Sequence, residues 1–140
     1  MEQRLTIVSL GVADVETARR FYRDGLGWQE SAASTGDFVL FMLQGGLGLA
    51  LYPRHLLAQE AGAADPGGFG GVTLSHNVES VEDVDRLLHA AARAGATLTA
   101  PASIKPWGYT GYFADPDGHP WEVAFVPSLV LRDGMLAGDE

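Results

Sequence analysis

The stretch Trp107–Val126, WGYTGYFADPDGHPWEVAFV, decides how the rest of the chain is read. Apolar and aromatic residues lead up to Asp115-Pro116-Asp117-Gly118, and a second apolar run begins at Trp121. Proline at 116 presets a turn-forming φ, and glycine at 118 supplies the positive φ of a tight reversal, so the segment is predicted to be a β-hairpin. In its second strand, Trp121 to Val126, Glu122 is the one charged residue. Strand alternation puts Glu122, Ala124 and Val126 on one face and Trp121, Val123 and Phe125 on the other. The carboxylate then either lines a cavity or sits on an exposed sheet face.

Upstream, Leu5 to Val12 (LTIVSLGV) reads as a strand with Ile7, Ser9 and Gly11 on one face. Asp14 is placed to cap a helix from Val15 to about Asp24. Val15, Ala18, Tyr22 and Leu26, widened by Phe21, give it an apolar stripe, and Gly25 and Gly27 end it. Strands follow over Trp28–Ser31, Phe38–Leu43 and Leu47–Tyr52, separated by Thr35-Gly36-Asp37 and Gly45-Gly46. Pro53 opens a short helix that stops at Gly62. Ala61 to Gly71 (AGAADPGGFGG) reads as a glycine-rich connector, either a plain linker or a segment that closes over a site.

The second half repeats the first. Val72–Val78 is a strand, Ser80 opens a helix with Val81, Val84, Leu87, Leu88 and Ala91 as its buried stripe, and Gly95 closes it. Ala96–Ala100 is a short strand, and the hairpin completes the unit. Aligning Asp14 with Ser80 gives an offset of 66 residues, which pairs Ile7 with Thr73, Ser9 with Ser75 and Gly11 with Asn77. The expected organisation is therefore one domain: a βαβββ module over residues 5–60, the connector over 61–71, a second module over 72–126 and a tail over 127–140. Leu129, Val130 and Leu131 of the tail are expected to cover a sheet edge or a partner subunit, and the last residues to be disordered.

Composition removes several function classes. At 46% hydrophobic and 19% charged, the 140-residue chain has the makeup of a globular protein with a real core. A formal net charge of −9 repels phosphates, which argues against nucleic acid and anionic membranes as partners. With no cysteine there is no disulfide, thiolate metal site or cysteine nucleophile. No apolar run approaches the roughly 20 residues of a membrane span, and MEQRLTIVSLG is too short and acidic for a signal peptide, so a cytoplasmic protein is expected.

The run Trp107-Gly108…Phe113-x-Asp115-Pro116-Asp117-Gly118-x-x-x-Glu122 resembles the last hairpin of the vicinal-oxygen-chelate superfamily, which includes glyoxalases, bleomycin-resistance proteins and extradiol dioxygenases. FYRDGLGW, from Phe21 to Trp28, is similar to a helix-to-strand turn of the same superfamily. The resemblance covers roughly residues 5–126. It implies an α+β fold of two βαβββ modules whose curved mixed sheets surround a cup. It also implies that Glu122 stands where enzymes of the family often have a metal ligand. By the same resemblance the strand-one ligand positions fall on Ile7 and Thr73, and Leu47–Tyr52 offers only Leu, Gly, Ala and Tyr, so no metal cofactor is expected. A divalent ion in a rearranged site is the alternative.

Among the histidines, the parity of His76 turns it away from the face of Thr73, Ser75 and Asn77. His119 in the hairpin turn is expected to face solvent, and His55 and His89 to lie on helix surfaces. The candidate site combines Ser9, Ser75, Asn77 and Glu122 as polar contacts with Phe41, Tyr52, Trp107, Tyr109 and Tyr112 as walls. Apolar walls with a few oriented polar groups suit a small organic ligand, although each aromatic also fits ordinary core packing. Burial without a cation would raise the pKa of Glu122, fitting it for acid–base work or for a cationic ligand. The resulting expectation is a metal-poor, homodimeric binder of a small, partly aromatic molecule, sequestering it as bleomycin-resistance proteins do. The alternative is a glyoxalase-, epimerase- or dioxygenase-like enzyme that uses Glu122.

Overall fold

The structure, a computed structural model, describes residues 1–138. It is a mixed α+β protein in two compact units, Met1–Gly70 and the residues from Gly71 onward.

In the first unit, strand β1 (Ile7–Val12) runs parallel to β3 (Gly48–Pro53), and β2 (Val39–Met42) pairs antiparallel with β3, giving the order β1-β3-β2. Helix α1 (Val15–Arg19) starts where Asp14 accepts a 3.0 Å hydrogen bond from the Glu16 N–H. It continues through a π-helical turn, Arg20–Gly25, that buries Phe21 and Tyr22. Val12, Val39, Phe41, Leu49 and Leu51 are all at most 1% exposed and form the core of this unit. Helix α2 (Arg54–Ala61) ends at Gly62, whose φ of 65° is the left-handed stop that glycine allows.

The strand expected over Trp28–Ser31 is reduced to a single antiparallel bridge, Glu30 to Phe41. At its Ser31 end the pairing stops where the Ser34 hydroxyl accepts the Leu40 N–H at 2.9 Å, and at its other end the Trp28 N–H is taken by the Tyr22 carbonyl at 3.0 Å. The connector is tethered to α2 at Asp65. Asp65 is held by Arg54 of α2 through two 2.7 Å hydrogen bonds, which keep its carboxyl below the usual carboxylate range.

The second unit repeats this plan with a fuller sheet, β4-β7-β6-β5. Its strands are β4 (Leu74–Asn77), β5 (Thr97–Lys105), β6 (Gly108–Ala114) and β7 (Pro120–Phe125), with β4 parallel to β7 and the other pairs antiparallel. Helix α3 (Val81–Ala94) is capped by the Ser80 hydroxyl, which accepts the Asp83 N–H at 3.1 Å. Its buried stripe is Val84, Leu88 and Ala91; Val81, expected to be buried, is 38% exposed at the first turn. A side chain at Gly111 of β6 would lie 2.7 Å from Leu88 Cδ1 and 3.0 Å from the Ala102 backbone. The bare backbone at this position lets α3 sit close to the sheet.

Strand β5 runs well past the expected end at Ala100. It continues through Pro101 because it is the edge strand, with the register shifting between Ala100 and Ser103, so no ladder bond depends on a proline N–H. The tail forms a short hairpin. Leu131–Arg132 (β8) pairs with Met135–Leu136 (β9) across Asp133-Gly134, whose φ values of 53° and 79° are those of a two-residue hairpin turn. Leu129 and Val130 remain 46% and 67% exposed. The disorder expected of the last residues lies outside the described residues where it concerns 139 and 140.

Candidate functional site

The predicted hairpin is β6 and β7, and its turn is tightly held. Buried Asp115 accepts the N–H groups of Asp117 and His119 at 3.0 and 2.9 Å. Its other carboxylate oxygen meets His119 Nδ1 at 2.8 Å. His119 therefore folds back onto the turn, with only 18% of its side chain exposed, rather than facing solvent. Gly118, at φ 85°, closes the reversal.

This rigid turn sets the register across the hairpin. Tyr112 stands opposite Glu122, Thr110 opposite Ala124, and on the other side of β7 Ser75 stands opposite Glu122. Paired residues share a sheet face, so three hydroxyls converge on one carboxylate. Ser75 Oγ donates to Glu122 Oε1 at 2.9 Å. Thr110 Oγ1 and Tyr112 Oη each donate to Oε2 at 3.1 Å. Thr110 is 4% exposed, Tyr112 and Glu122 are half-buried, and Ser75 is exposed, so the cluster is seated in the sheet but open on one side. Desolvation, with help from the bond to Glu122, raises the Tyr112 phenol above its ordinary pKa and keeps its proton in place. Thr110 was missed by sequence reasoning. The signal was there in the alternation, because Thr110 must share a face with Tyr112.

Asn77 lies on the same face, opposite Ala124. Tyr109 and Trp107 do not join the cluster. Tyr109 has the opposite parity, and its phenol donates to Asp85 of α3 at 2.7 Å. Trp107, 55% exposed, borders a shallow cavity of about 480 Å³ with Val81, Ile104, Tyr109 and Phe125. In the first unit Ser9 is exposed on β1, and Tyr52 donates to Glu60 at 2.9 Å while its ring lies 6.5 Å from Phe38. Phe41 is 1% exposed and packs against Tyr22 and Trp28 at ring distances of 6.0 and 5.7 Å. Ile7 is 45% exposed at the start of β1, and Thr73 is exposed just ahead of β4. His76 takes the other face of β4. Desolvation lowers its imidazole below the ordinary value, although the residue as a whole is exposed at the sheet edge.

Could this arrangement hold a metal? Among the described residues, no three His, Asp or Glu side chains gather where a cation could sit. Around Glu122 the neighbours are hydroxyls that donate to it, whereas a transition-metal site needs several imidazole, thiolate or carboxylate donors. The donor set at Glu122 does not fit a transition metal.

Two units, each with a first strand, a helix after it and a later strand parallel to the first, the second carrying its glutamate just after an Asp-Pro-Asp-Gly turn, define the class that the hairpin sequence resembles. Residues 4–123 match the family model described as the Glyoxalase/Bleomycin resistance protein/Dioxygenase superfamily, and the chain belongs to that superfamily. It is similar to a glyoxalase-related enzyme from Fulvimarina pelagi, at 33% identity and a TM-score of 0.87 over 99% of this chain and 100% of that one. A protein from Agrobacterium tumefaciens solved by solution NMR is 28% identical, with a TM-score of 0.76 over 89% of this chain and 98% of its own. A lactoylglutathione lyase from the same organism shares the fold, at 23% identity and a TM-score of 0.65 over 89% and 94%. Among curated proteins none matches the chain. No helix among the described residues is long and apolar enough to cross a membrane.

Proposed function

We propose that this protein binds a small, partly aromatic organic molecule on the Glu122 face of the second sheet, without a transition metal, and sequesters it. The observation that carries this reading is the single carboxylate bound by three hydroxyls, half-buried and open on one side. Such a group orients a ligand by hydrogen bonds, and the ring of Tyr112 beside it offers an aromatic surface. The working unit is a homodimer and its place is the cytoplasm, in keeping with the exposed apolar residues Leu129, Val130 and Leu136 and the absence of cysteine. The test is metal analysis of untagged protein followed by a thermal-shift screen of small aromatic compounds. Stabilisation by some of them, lost in Glu122→Gln, is expected. About one equivalent of Fe, Ni, Zn or Mn per chain, released by Glu122→Gln, would overturn it.

A second reading, an acid–base enzyme of the glyoxalase type using Glu122, is favoured by one observation. The Fulvimarina pelagi relative, described as an enzyme, matches this chain end to end. Turnover of a compound from the screen, abolished in Glu122→Gln with binding retained, would select this reading over sequestration.

A further inference from the structure

The hydrogen-bond polarity of the Glu122 cluster restricts what it can hold. An ionised carboxylate only accepts, and a hydroxyl has one hydrogen to give. Ser75, Thr110 and Tyr112 each direct that hydrogen at Glu122, two of them at Oε2 and one at Oε1. What the four side chains present outward is lone pairs, together with the carboxylate's negative charge. No Lys, Arg or His among the described residues forms an ion pair with Glu122. Arg86, on α3, is already paired with Asp83 at 2.8 Å. The chain as a whole, at −9, adds to the negative field.

We infer that the ligand meets Glu122 through a cationic nitrogen donor, a protonated amine or amidinium attached to its aromatic part. This rests on the binding reading above and names the ligand class of that same site. A carboxylate or phosphate group would face lone pairs and like charge here, and a ligand offering only carbonyl oxygens would find no hydrogen in the cluster to accept. An ammonium supplies three donors, matching the remaining lone pairs of Glu122 and of the hydroxyl oxygens around it. Asn77, next on the same face, carries both a donor and an acceptor and leaves the sign of this preference unchanged.

The test is an amide NMR titration of the isotope-labelled full chain with benzylammonium, benzyl alcohol and benzoate at equal ionic strength. Glu122→Gln is the variant, and Glu79→Gln, at an exposed site, is the control for loss of charge alone. Expected is a shift map centred on Ser75, Thr110, Tyr112 and Glu122, with benzylammonium binding roughly tenfold or more tightly than the other two. That preference should collapse in Glu122→Gln and persist in Glu79→Gln. Benzyl alcohol or benzoate binding at this face as well as benzylammonium would overturn the inference and leave the binding reading standing. If none of the three perturbs the face, both fall. The comparison among probes on the unmodified protein stands even if Glu122→Gln fails to fold.

Discussion

Removing Glu122 in two different ways separates the stabilising work of its hydrogen bonds from the cost of its charge. Glu122→Gln keeps the shape and allows all three contacts to re-form with altered polarity: the amide oxygen still accepts from Ser75, and the amide N–H groups turn toward Thr110 and Tyr112. Bonds to a charged group are worth about 1.5–3 kcal/mol and neutral ones about 0.5–1.5 kcal/mol, so roughly 1 kcal/mol is lost per contact. Glu122→Gln no longer holds a half-buried charge, which works against those losses, and it should stay closer to wild type in stability than Glu122→Ala. Glu122→Ala offers no such exchange. It orphans the hydroxyl of Thr110, only 4% exposed, and should cost about 2–3 kcal/mol in urea unfolding. Thr110→Val is the internal check. In the wild-type background it removes a bond to the carboxylate and destabilises by about 1.5–3 kcal/mol; in Glu122→Ala it removes an unpaired buried hydroxyl and should stabilise. The same sign for Thr110→Val in both backgrounds, or a Glu122→Ala protein as stable as wild type, would refute the assignment of this cluster as a coupled network.

Three further outcomes are expected. Tyr112 is raised by desolvation and by Glu122, and Tyr52 and Tyr109 mainly by their bonds to Glu60 and Asp85, so ultraviolet titration should show phenol ionisation lagging above the ordinary value of 10.0. The folded state holds these protons more tightly than the unfolded chain. Their contribution is therefore complete below about pH 10 and is lost as pH climbs through the raised values, with these three tyrosines titrating at the ordinary value as the contrary result. Gly111→Ala forces a methyl against Leu88 and the Ala102 backbone, and should lower the thermal midpoint through a loss of about 1–3 kcal/mol; an unchanged midpoint would show that α3 can move away at no cost. Light scattering at micromolar concentration should give the mass of two chains, and a monomeric mass would remove the dimer from the functional proposal.

Local chemistry in the sequence was enough to determine the elements and their repetition. Asp14 and Ser80, 66 residues apart, each cap a helix, because a short oxygen-bearing side chain at that position meets free N–H groups whatever lies around it. The Asp115–Gly118 turn was legible for the same reason, and so was the parity that sets His76 apart from Ser75 and Asn77. The Asp133-Gly134 hairpin was just as local, and its turn signal went unread. Register and burial are different, since they depend on which strands pair. Only the tertiary structure decided that Ser34 takes the Leu40 N–H, that Phe41 joins the core with Tyr22 and Trp28, and that Tyr109 reaches Asp85 on α3. It also brought Ser75, from a strand 47 residues distant in sequence, onto the carboxylate of Glu122. No periodicity along the chain encodes that meeting, because it arises from the parallel alignment of β4 with β7.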